Sequence, residues 1–430
     1  MRLLTAGKYC DRDIVVTAEG GGAVPVEEKD VNFYDYDGTL LYSYTLEEAQ
    51  ALTELPPAPT PPRAFLEFME WNWTLAQIKE VANCVDVGAV YTTIDGYTRA
   101  VFEIDSMTVA DVTVHVKVWD YSLSDGSLVV EWGDGTTDSY TNPTTGGTNV
   151  TLQHSYKSTG RYVVRFVLYG NTLDLGHSSN TTPFVGDGAR NTVLKELYIA
   201  GNTRIPLNHG VRGSSGLELV SIGSTQATKL SISTFHECHQ LKTVIAPSWF
   251  TTFGGYSFHS AYSLAKISLP YNLTDSGYYG FNGCYALHRL VLPPKVNQIR
   301  AEGTYSLKEL HILGQPAQTA GEAFSDCASI ATIELPSSIT TIADASFRRC
   351  YSLYEITIPQ NVTSIGAQCF LNCTALRKIV FLPTTPPTVS NANAFTGIPA
   401  ACIVEVPAAS LEAYKNATNY GTIAAQMVGV

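Results

Sequence analysis

The sequence predicts a mostly β, multi-domain protein whose C-terminal half is a solenoid of about nine coils. One apolar position recurs nine times in that half, at intervals of 20 to 24 residues. Only 15% of the 430 residues are charged and 45% are hydrophobic, so the surface must be mostly uncharged and polar. Many short segments alternate between apolar and polar residues, which is typical of strands with one buried face.

The repeat has a defined skeleton, Phe-x2-Cys-x2-Leu-x2-Ile-x-Leu-Pro. Its clearest copies begin at Phe235, Phe258, Phe281, Phe324, Phe347 and Phe370. The Leu slot is filled by Leu194, Leu217, Leu241, Leu264, Leu287, Leu307, Ile330, Leu353 and Leu376. The residues after this slot alternate as in a short strand, and the proline that often follows cannot donate to a strand ladder. Each coil is therefore predicted to hold a strand, a corner and a return segment, with the Phe and Cys side chains inside.

This skeleton resembles the BspA-like leucine-rich repeat family, whose units are very much like residues 327–347. The resemblance implies a leucine-rich-repeat solenoid over residues 191–395. It also implies a C-terminal cap over residues 396–430, in which Ser410 is expected to cap a short helix that covers the last coil.

One coil departs from the pattern of the others. The coil that ends at Leu307 is three residues short, and Ala301 and Thr304 stand in its Phe and Cys slots. A kink or an altered return segment is expected there.

The N-terminal half is predicted to begin with a small attachment module. Residues 1–24 contain a short strand and a Gly-rich joint, and residues 25–104 indicate a small α+β unit. Its predicted elements are a hairpin turning at Asp37-Gly38, a helix capped by Thr45 and Glu48, a helix from Thr74 to about Asn83, and a hairpin over residues 87–102 turning at Asp95-Gly96. Its phrases, such as Trp71-Asn72-Trp73, resemble N-proximal modules of phage and prophage tail-associated proteins and of repeat proteins from gut bacteria.

Residues 105–170 show an all-β pattern. Their marker residues are Trp132-Gly-Asp134-Gly, His154-x-Tyr156 and Gly160-x-Tyr162. This combination resembles the PKD-type immunoglobulin-like sandwich, which implies a spacer or stalk. Residues 171–190 are polar and Gly-rich and are expected to form a linker to the solenoid.

Three motifs suggest chemistry, and the context favours a structural interpretation of each. Asp35-x-Asp37-Gly-Thr matches the box of haloacid-dehalogenase-type phosphatases, but the chain turns straight back after it, which favours a turn. Gly176-x-Ser178 lacks the second glycine of a nucleophile elbow. Asp134 could hold Ca²⁺, although a β-turn is favoured, and the histidines lack zinc-ligand spacing. The sequence therefore predicts no enzyme, no catalytic residue, no metal and no cofactor.

Charge and hydropathy argue against two classes of partner. The net charge of −12 offers no basic footprint for nucleic acid or an anionic membrane. No apolar run approaches the length of a spanning helix, so membrane insertion is not expected. The N-terminus also lacks the apolar core of a secretory signal. The nine cysteines are odd in number and mostly fill the repeat slot, which favours reduced, buried thiols.

An aromatic strip is the strongest binding candidate. The position after the Cys slot is aromatic in several coils, at Tyr262, Tyr285, Tyr305 and Tyr351. Equivalent positions of a solenoid line up, so a tyrosine ladder is predicted, either as packing or as a contact strip. Outward strand positions form a second candidate face, with the predicted contact residues His288, Arg289, His311, Tyr354 and Glu355.

These features predict a non-enzymatic binding protein. The predicted function is that of a phage or prophage virion adhesin, of the tail or fibre, whose solenoid binds a cell-surface glycan or protein. The N-terminal module would contact other virion or surface proteins. A bacterial cell-surface adhesin of the BspA-like group and a purely structural virion protein are the alternatives, and homo-oligomer formation is left open.

Overall fold

The computed structural model confirms the predicted fold class, a mostly β protein with few helices and a C-terminal solenoid. It describes residues 27–81, 83–106, 111–119, 127–141, 147–169, 172–176, 183–186, 191–205 and 210–430. The strand and the Gly-rich joint predicted for residues 1–24 therefore lie outside the described residues, as does Ser178 of the elbow-like motif.

The N-terminal module is a four-stranded sheet with two short helices. Its strands are β1 (Val31–Tyr34), β2 (Leu40–Tyr44), β3 (Leu66–Trp71) and β4 (Val85–Thr93), in the order β2-β1-β4-β3. Its helices are α1 (Leu46–Ala51) and α2 (Leu75–Glu80). A capping box opens each helix, formed by Thr45 with Glu48 and by Thr74 with Gln77. The predicted hairpin at Asp37-Gly38 is confirmed as the antiparallel pair of β1 and β2.

A β-sandwich of two sheets follows the module. One sheet contains β5 (Thr98–Ile104), β10 (Gly160–Tyr169), β7 (Ser127–Glu131) and β8 (Thr137–Thr141) as neighbours in that order. The other contains β13 (Thr203–Arg204), β11 (Thr172–Leu175), β6 (Asp111–Trp119) and β9 (Thr148–Ser155). Two predictions are wrong here. β5 pairs with β10 of the sandwich and not with β4, so there is no hairpin at Asp95-Gly96, and part of the predicted linker is strand β11.

The tryptophan motif closes one corner of this sandwich. Trp132 is buried, donates from Nε1 to Asp138 at 2.8 Å, and stacks on His154 with ring centroids 4.5 Å apart. The hydroxyl of Tyr156 donates to the Trp132 carbonyl at 3.0 Å. Burial alone would raise the pKa of Asp134, but hydrogen bonds from Thr136 and His154 lower it to about 2. The carboxylate of Asp134 therefore has structural contacts within the sandwich, which agree with the β-turn interpretation.

The solenoid is a stack of short parallel strands. Its main face is built by β12 (Leu194–Ile199), β14 (Leu219–Ile222), β15 (Thr243–Ile245), β16 (Lys266–Ser268), β17 (Arg289–Leu292), β18 (Glu309–Ile312), β19 (Thr332–Ile333), β21 (Glu355–Ile358), β23 (Lys378–Phe381), β25 (Ile403–Val406) and β26 (Met427–Gly429). A second row on the return side contains β20 (Thr341–Ile342), β22 (Ser364–Ile365) and β24 (Thr388–Val389). All nine Leu-slot side chains are buried. The spacing of the sequence repeat therefore matches the spacing of the stacked coils.

Phe and Cys side chains fill the interior of the solenoid, as predicted. The rings of Phe324, Phe347 and Phe370 stack with centroids 5.1 and 5.2 Å apart. Each repeat cysteine donates its thiol proton to the Phe-slot carbonyl of the preceding coil, as Cys350 does to Phe324 at 3.1 Å. Burial raises the pKa of the Cys350 thiol, which keeps it protonated. Cys84 is an exception to the predicted set of reduced thiols, because it is disulfide-bonded.

The short coil keeps its Leu slot but changes the interior. Thr304 donates its hydroxyl proton to the Ala301 carbonyl at 2.6 Å, where other coils place a cysteine. The buried carboxylate of Glu302 accepts a hydrogen bond from the backbone N–H of Tyr279. Burial raises the pKa of Glu302 to about 7, although that hydrogen bond acts in the opposite direction. The strand ladder is interrupted before β17 and after β18, so the predicted irregularity is present at this coil.

Replacing Glu302 with glutamine is expected to remove a pH dependence of stability. The folded pKa of about 7 lies above the ordinary 4.5, so the unfolded chain releases this proton first as the pH rises. The contribution of Glu302 is therefore fully favourable below about pH 4.5 and is lost by about pH 7, at a cost of roughly 3 kcal/mol. Urea unfolding of both proteins across this pH range checks the prediction. A stability difference between the variant and the natural chain that stays constant with pH would contradict it.

The three units form one packed body. β12 pairs antiparallel with β5, so a single sheet runs from the sandwich into the first coils. The N-terminal module lies on the outward strand face of these coils. The contacts include hydrogen bonds from Trp73 to the Leu269 carbonyl (2.8 Å), from Asn72 to the Ala246 carbonyl (2.9 Å), from Ser221 to the Tyr91 carbonyl (3.1 Å) and from Thr243 to the Asp37 carbonyl (2.9 Å). The module is therefore not a separate domain that is joined to the solenoid only through a linker.

The C-terminal segment covers the last coil. It contains α3 (Leu411–Lys415), and Tyr414 and Tyr420 are buried against the stack and donate to carbonyls of a preceding loop at 2.8 and 3.0 Å. Ser410 stands at the N-cap position of this helix, as predicted, but its side chain makes no capping hydrogen bond. Its hydroxyl donates instead to the Thr384 carbonyl at 2.6 Å, which ties the helix to the coil below.

Candidate binding surface

The predicted tyrosine ladder is formed at the turn after the Cys slot. We define it as His239, Tyr262, Tyr285 and Tyr305. Backbone hydrogen bonds hold these turns in register: Ser263 donates to the His239 carbonyl at 3.0 Å, and Ala286 donates to the Tyr262 carbonyl at 3.1 Å. The side chains therefore project from equivalent points of successive coils.

The rings of the tyrosine ladder stack on one another. His239 and Tyr262 are 4.5 Å apart with an interplanar angle of 2°, and Tyr262 and Tyr285 are 5.3 Å apart at 16°. Tyr285 and Tyr305 are 5.7 Å apart and tilted by 47°. The three tyrosines are still 39 to 51% exposed. The inner rings thus cover each other's faces and remain partly exposed to solvent.

The ladder stops at Ala328, which occupies the next equivalent position. Tyr351 follows one coil later and is exposed, but within the described part of the chain it stacks on no other ring. Tyr354 is also exposed and lies under the guanidinium of Arg377, 5.7 Å from the ring centroid. The four predicted tyrosines therefore divide into a contiguous group of three, in which Tyr305 is tilted, and the separate Tyr351.

The N-terminal module covers half of the predicted strand face, which corrects the placement of two residues. Arg289 Nε pairs with Asp86 of the module at 3.1 Å, and its side chain is only 11% exposed. His311 is the outward residue of β18, and burial together with the Arg289 charge lowers its pKa to about 4. The Arg289 side chain therefore makes a contact within the chain, and His311 lies near it and is only partly exposed. They are therefore removed from the predicted binding surface.

The C-terminal half of the strand face is open. We define the open face by Tyr354, Glu355, Lys378, Ile403 and Val428. Lys378 bridges Glu355 at 3.6 Å and Glu405 at 3.1 Å, and the hydrogen bond to Glu405 raises its pKa. Ile403 and Val428 are 50% and 44% exposed beside this charged row. His288 is exposed too, and its Nδ1–H donates to the Ser306 carbonyl at 3.0 Å.

The repeat register agrees with a known family. Residues 212–312 and 302–402 match the BspA type leucine rich repeat region, in six copies. The C-terminal half of this chain carries a BspA-type leucine-rich repeat region. The match spans a little under half of the sequence and confirms the predicted resemblance for the solenoid. No curated protein matches the chain.

Several solved structures are similar to this chain at low identity. A leucine-rich repeat protein from Bacteroides ovatus is 19% identical with a TM-score of 0.41, over 60% of this chain and 75% of its own. A leucine rich cell surface protein from Faecalibacterium prausnitzii is 16% identical with a TM-score of 0.25, over 56% and 94% of the two chains. The pneumococcal vaccine antigen PcpA is 15% identical with a TM-score of 0.27, over 56% and 76%.

A second aromatic cluster in the BspA-type region escaped the sequence analysis. Tyr256 and Tyr279 lie two residues before their Phe slots, and their rings stack 5.8 Å apart. Tyr278 packs on Tyr279 at 4.2 Å and lies under Arg300, 5.6 Å from its centroid. Tyr256 and Tyr279 have φ values of 58° and 50°, in the left-handed region that non-glycine residues rarely adopt. The 23-residue spacing between Tyr256 and Tyr279 equals the repeat period and could have identified this cluster from the sequence.

The carboxylates of the phosphatase-like box have structural contacts. Asp35 accepts a hydrogen bond from the Tyr91 hydroxyl at 2.7 Å, and burial raises the pKa of Asp35 while this bond lowers it. Asp37 accepts from the Thr39 backbone N–H at 2.9 Å within the turn that contacts the BspA-type region. Among the described residues there is no group of three or more His, Cys, Asp or Glu side chains that could hold a metal. None of the described helices has the length and hydrophobicity that crossing a membrane requires.

Proposed function

We propose that this chain is a non-enzymatic binding protein that recognises a cell-surface glycan or protein through the tyrosine ladder and the open face. The single observation that carries this proposal is the exposed ladder, in which three successive tyrosines contact one another and remain 39 to 51% exposed. A tyrosine side chain has a large apolar ring and a polar hydroxyl group. It can therefore pack against a partner and is still hydrated when the partner is absent.

Rigidity of the scaffold supports the proposal. The ladder is fixed by backbone hydrogen bonds between coils and by the stacked rings of Phe235, Phe258 and Phe281 in the same coils. The N-terminal module contacts the ladder coils, as Trp73 does at Leu269, and the sandwich sheet continues into the first coil through the pairing of β5 with β12. A partner would therefore meet preordered side chains and would lose little affinity to the ordering of the protein.

The proposed location is a bacterial cell surface. The match to the BspA-type family supports this location over the virion location predicted from the N-terminal phrases. A phage or prophage tail adhesin is the second candidate, and it rests on phrases such as Trp71-Asn72-Trp73. Immunogold labelling of producing cells and of their purified phage particles separates the two. We expect gold on the cell envelope.

Replacing Tyr262 and Tyr285 with serine is expected to weaken binding to target cells by at least about tenfold, because the central rings of the contact are lost. Binding of the full chain to intact gut-bacterial cells and to immobilised oligosaccharides is measured at increasing protein concentration. The full chain is required, since a cut before β12 would separate β12 from β5.

The matched control is Tyr169→Ser, which removes an equally exposed tyrosine from the sandwich. Saturable binding by the natural chain and by this control, but not by the double variant, is the expected result. If the folded natural chain binds neither cells nor oligosaccharides, the proposed function is wrong and an architectural role is favoured.

A further inference from the structure

The position of Ala328 is a missing rung of the tyrosine ladder. The backbone is in register on both sides of it: Ser329 donates to the Tyr305 carbonyl at 3.0 Å, and Ser352 donates to the Ala328 carbonyl at 3.1 Å. A methyl group therefore stands where the neighbouring coils place Tyr305 and Tyr351. We call the space between these two tyrosines the notch.

The general spacing of neighbouring strands gives an estimate of the width of the notch. Neighbouring strands lie about 4.8 Å apart, so two coils separate Tyr305 from Tyr351 by roughly 10 Å. Carbon atoms in contact are about 3.8 Å apart, so two contacts occupy roughly 7.6 Å. The remaining space exceeds what a flat ring needs and suits a puckered ring with axial C–H groups.

The tyrosines on either side of the notch have fewer ring partners than the other rungs of the ladder. Tyr262 has a ring on each side, at 4.5 and 5.3 Å, so both of its faces are occupied. Tyr305 has Tyr285 on one side only, and Tyr351 stacks on no ring of the described residues. These two tyrosines stand on the rungs next to the missing position, and both rings are partly exposed.

Polar groups of both signs border the notch. Asp326 pairs with Arg349 at 3.2 Å, and the Arg349 side chain is 43% exposed. Ser325 donates to Asp326 at 2.9 Å. Partial burial raises the pKa of the Tyr305 hydroxyl and the charge of Asp326 raises it further, so this hydroxyl is a donor at neutral pH. The rim therefore offers donors and acceptors without a net charge.

We propose that the notch binds one neutral pyranose ring of a cell-surface glycan, held between Tyr305 and Tyr351, with its hydroxyl groups bonded to Asp326 and Arg349. This inference rests on the proposed function and adds the ligand class and the subsite. Sugar C–H groups pack on aromatic faces, while sugar hydroxyls need paired donors and acceptors. An aromatic side chain of a protein partner would fill the notch less well and would leave the polar rim unused.

Ala328→Tyr tests the inference, because it supplies the missing rung and closes the notch. We expect the variant to keep the melting temperature of the natural chain and to lose at least about tenfold in affinity for the neutral hexose or N-acetylhexosamine oligosaccharides that the natural chain binds. Ser337→Tyr is the matched control, since it adds the same side chain at an exposed position of the same coil that belongs to neither the ladder nor the open face. Tyr351→Ser removes one wall of the notch without filling it, and the same loss is expected.

The outcomes separate this inference from the proposed function. If the natural chain binds cells and Ala328→Tyr and Tyr351→Ser bind equally well, the notch is not the subsite while the binding function stands. If protease treatment of the cells abolishes binding and no oligosaccharide is bound, the ligand is a protein and the inference is overturned. If the folded natural chain binds nothing, the proposed function itself fails.

Discussion

Replacing Gly223 with alanine is expected to loosen the N-terminal module from the solenoid and to lower the free energy of unfolding by about 3 kcal/mol. A Cβ atom at this position would lie 2.4 Å from the Tyr91 carbonyl oxygen and 2.6 Å from the Thr92 Cα. Both atoms are backbone atoms of β4, so no side-chain rotation can relieve the overlap. β4 must move away, and the Ser221 hydrogen bond to Tyr91 is lost with it.

Chemical denaturation and hydrogen exchange measure this effect. We expect faster exchange in β4 and unchanged exchange in β21 and β23, which lie far along the stack. Gly321→Ala is the matched control, because a Cβ there meets nothing within 4 Å. Equal denaturation midpoints for the two variants would show that the module does not pack on the coils as described.

Replacing Phe347 with alanine is expected to lower the free energy of unfolding by about 4 kcal/mol. The side chain is buried and stacks on Phe324 at 5.1 Å and on Phe370 at 5.2 Å. Its loss leaves a cavity that rigid neighbouring coils cannot close. Because each coil contacts only its neighbours, the damage should spread to the C-terminal coils more than to the braced N-terminal ones.

Urea unfolding of Phe347→Ala and of the exposed Tyr351→Ala, in the same coil, tests this prediction. We expect the second variant to lie within about 0.5 kcal/mol of the natural chain. Hydrogen exchange should show the last coils opening first in Phe347→Ala. A loss below about 1 kcal/mol would mean that the stack relaxes into the cavity, and the interior would then be less rigid than proposed.

The repeat made the solenoid predictable from sequence. A spacing of about 23 residues locates every Leu slot, and all of these side chains are buried. Local signals were equally reliable where the partner residue was close in sequence, as in the capping box of Thr45 with Glu48. The ladder at Tyr262 followed from the same register.

Contacts between distant segments were not predictable in this way. The Asp95-Gly96 turn looked like a hairpin, but β4 packs on the coils while β5 joins the sandwich. Arg289 looked like a surface residue because strand alternation pointed it outward, yet the outward side of β17 is covered by Asp86. The sequence near Arg289 and near Asp86 contains no pattern that predicts this contact.

The sequence by itself determined the periodic part of this protein, namely the coils, their buried slots and the line of tyrosines. In a repeat, residues that contact each other in neighbouring coils are separated by a constant number of residues in the sequence. The same pattern therefore occurs many times in one chain and can be recognised. Only the tertiary structure decided which surface remains free. The module and the coils contact each other about 200 residues apart in the chain, as Trp73 and Leu269 do. Such a contact requires two surfaces of complementary shape that become buried together. The local sequence around either residue does not indicate that it will be covered by the other.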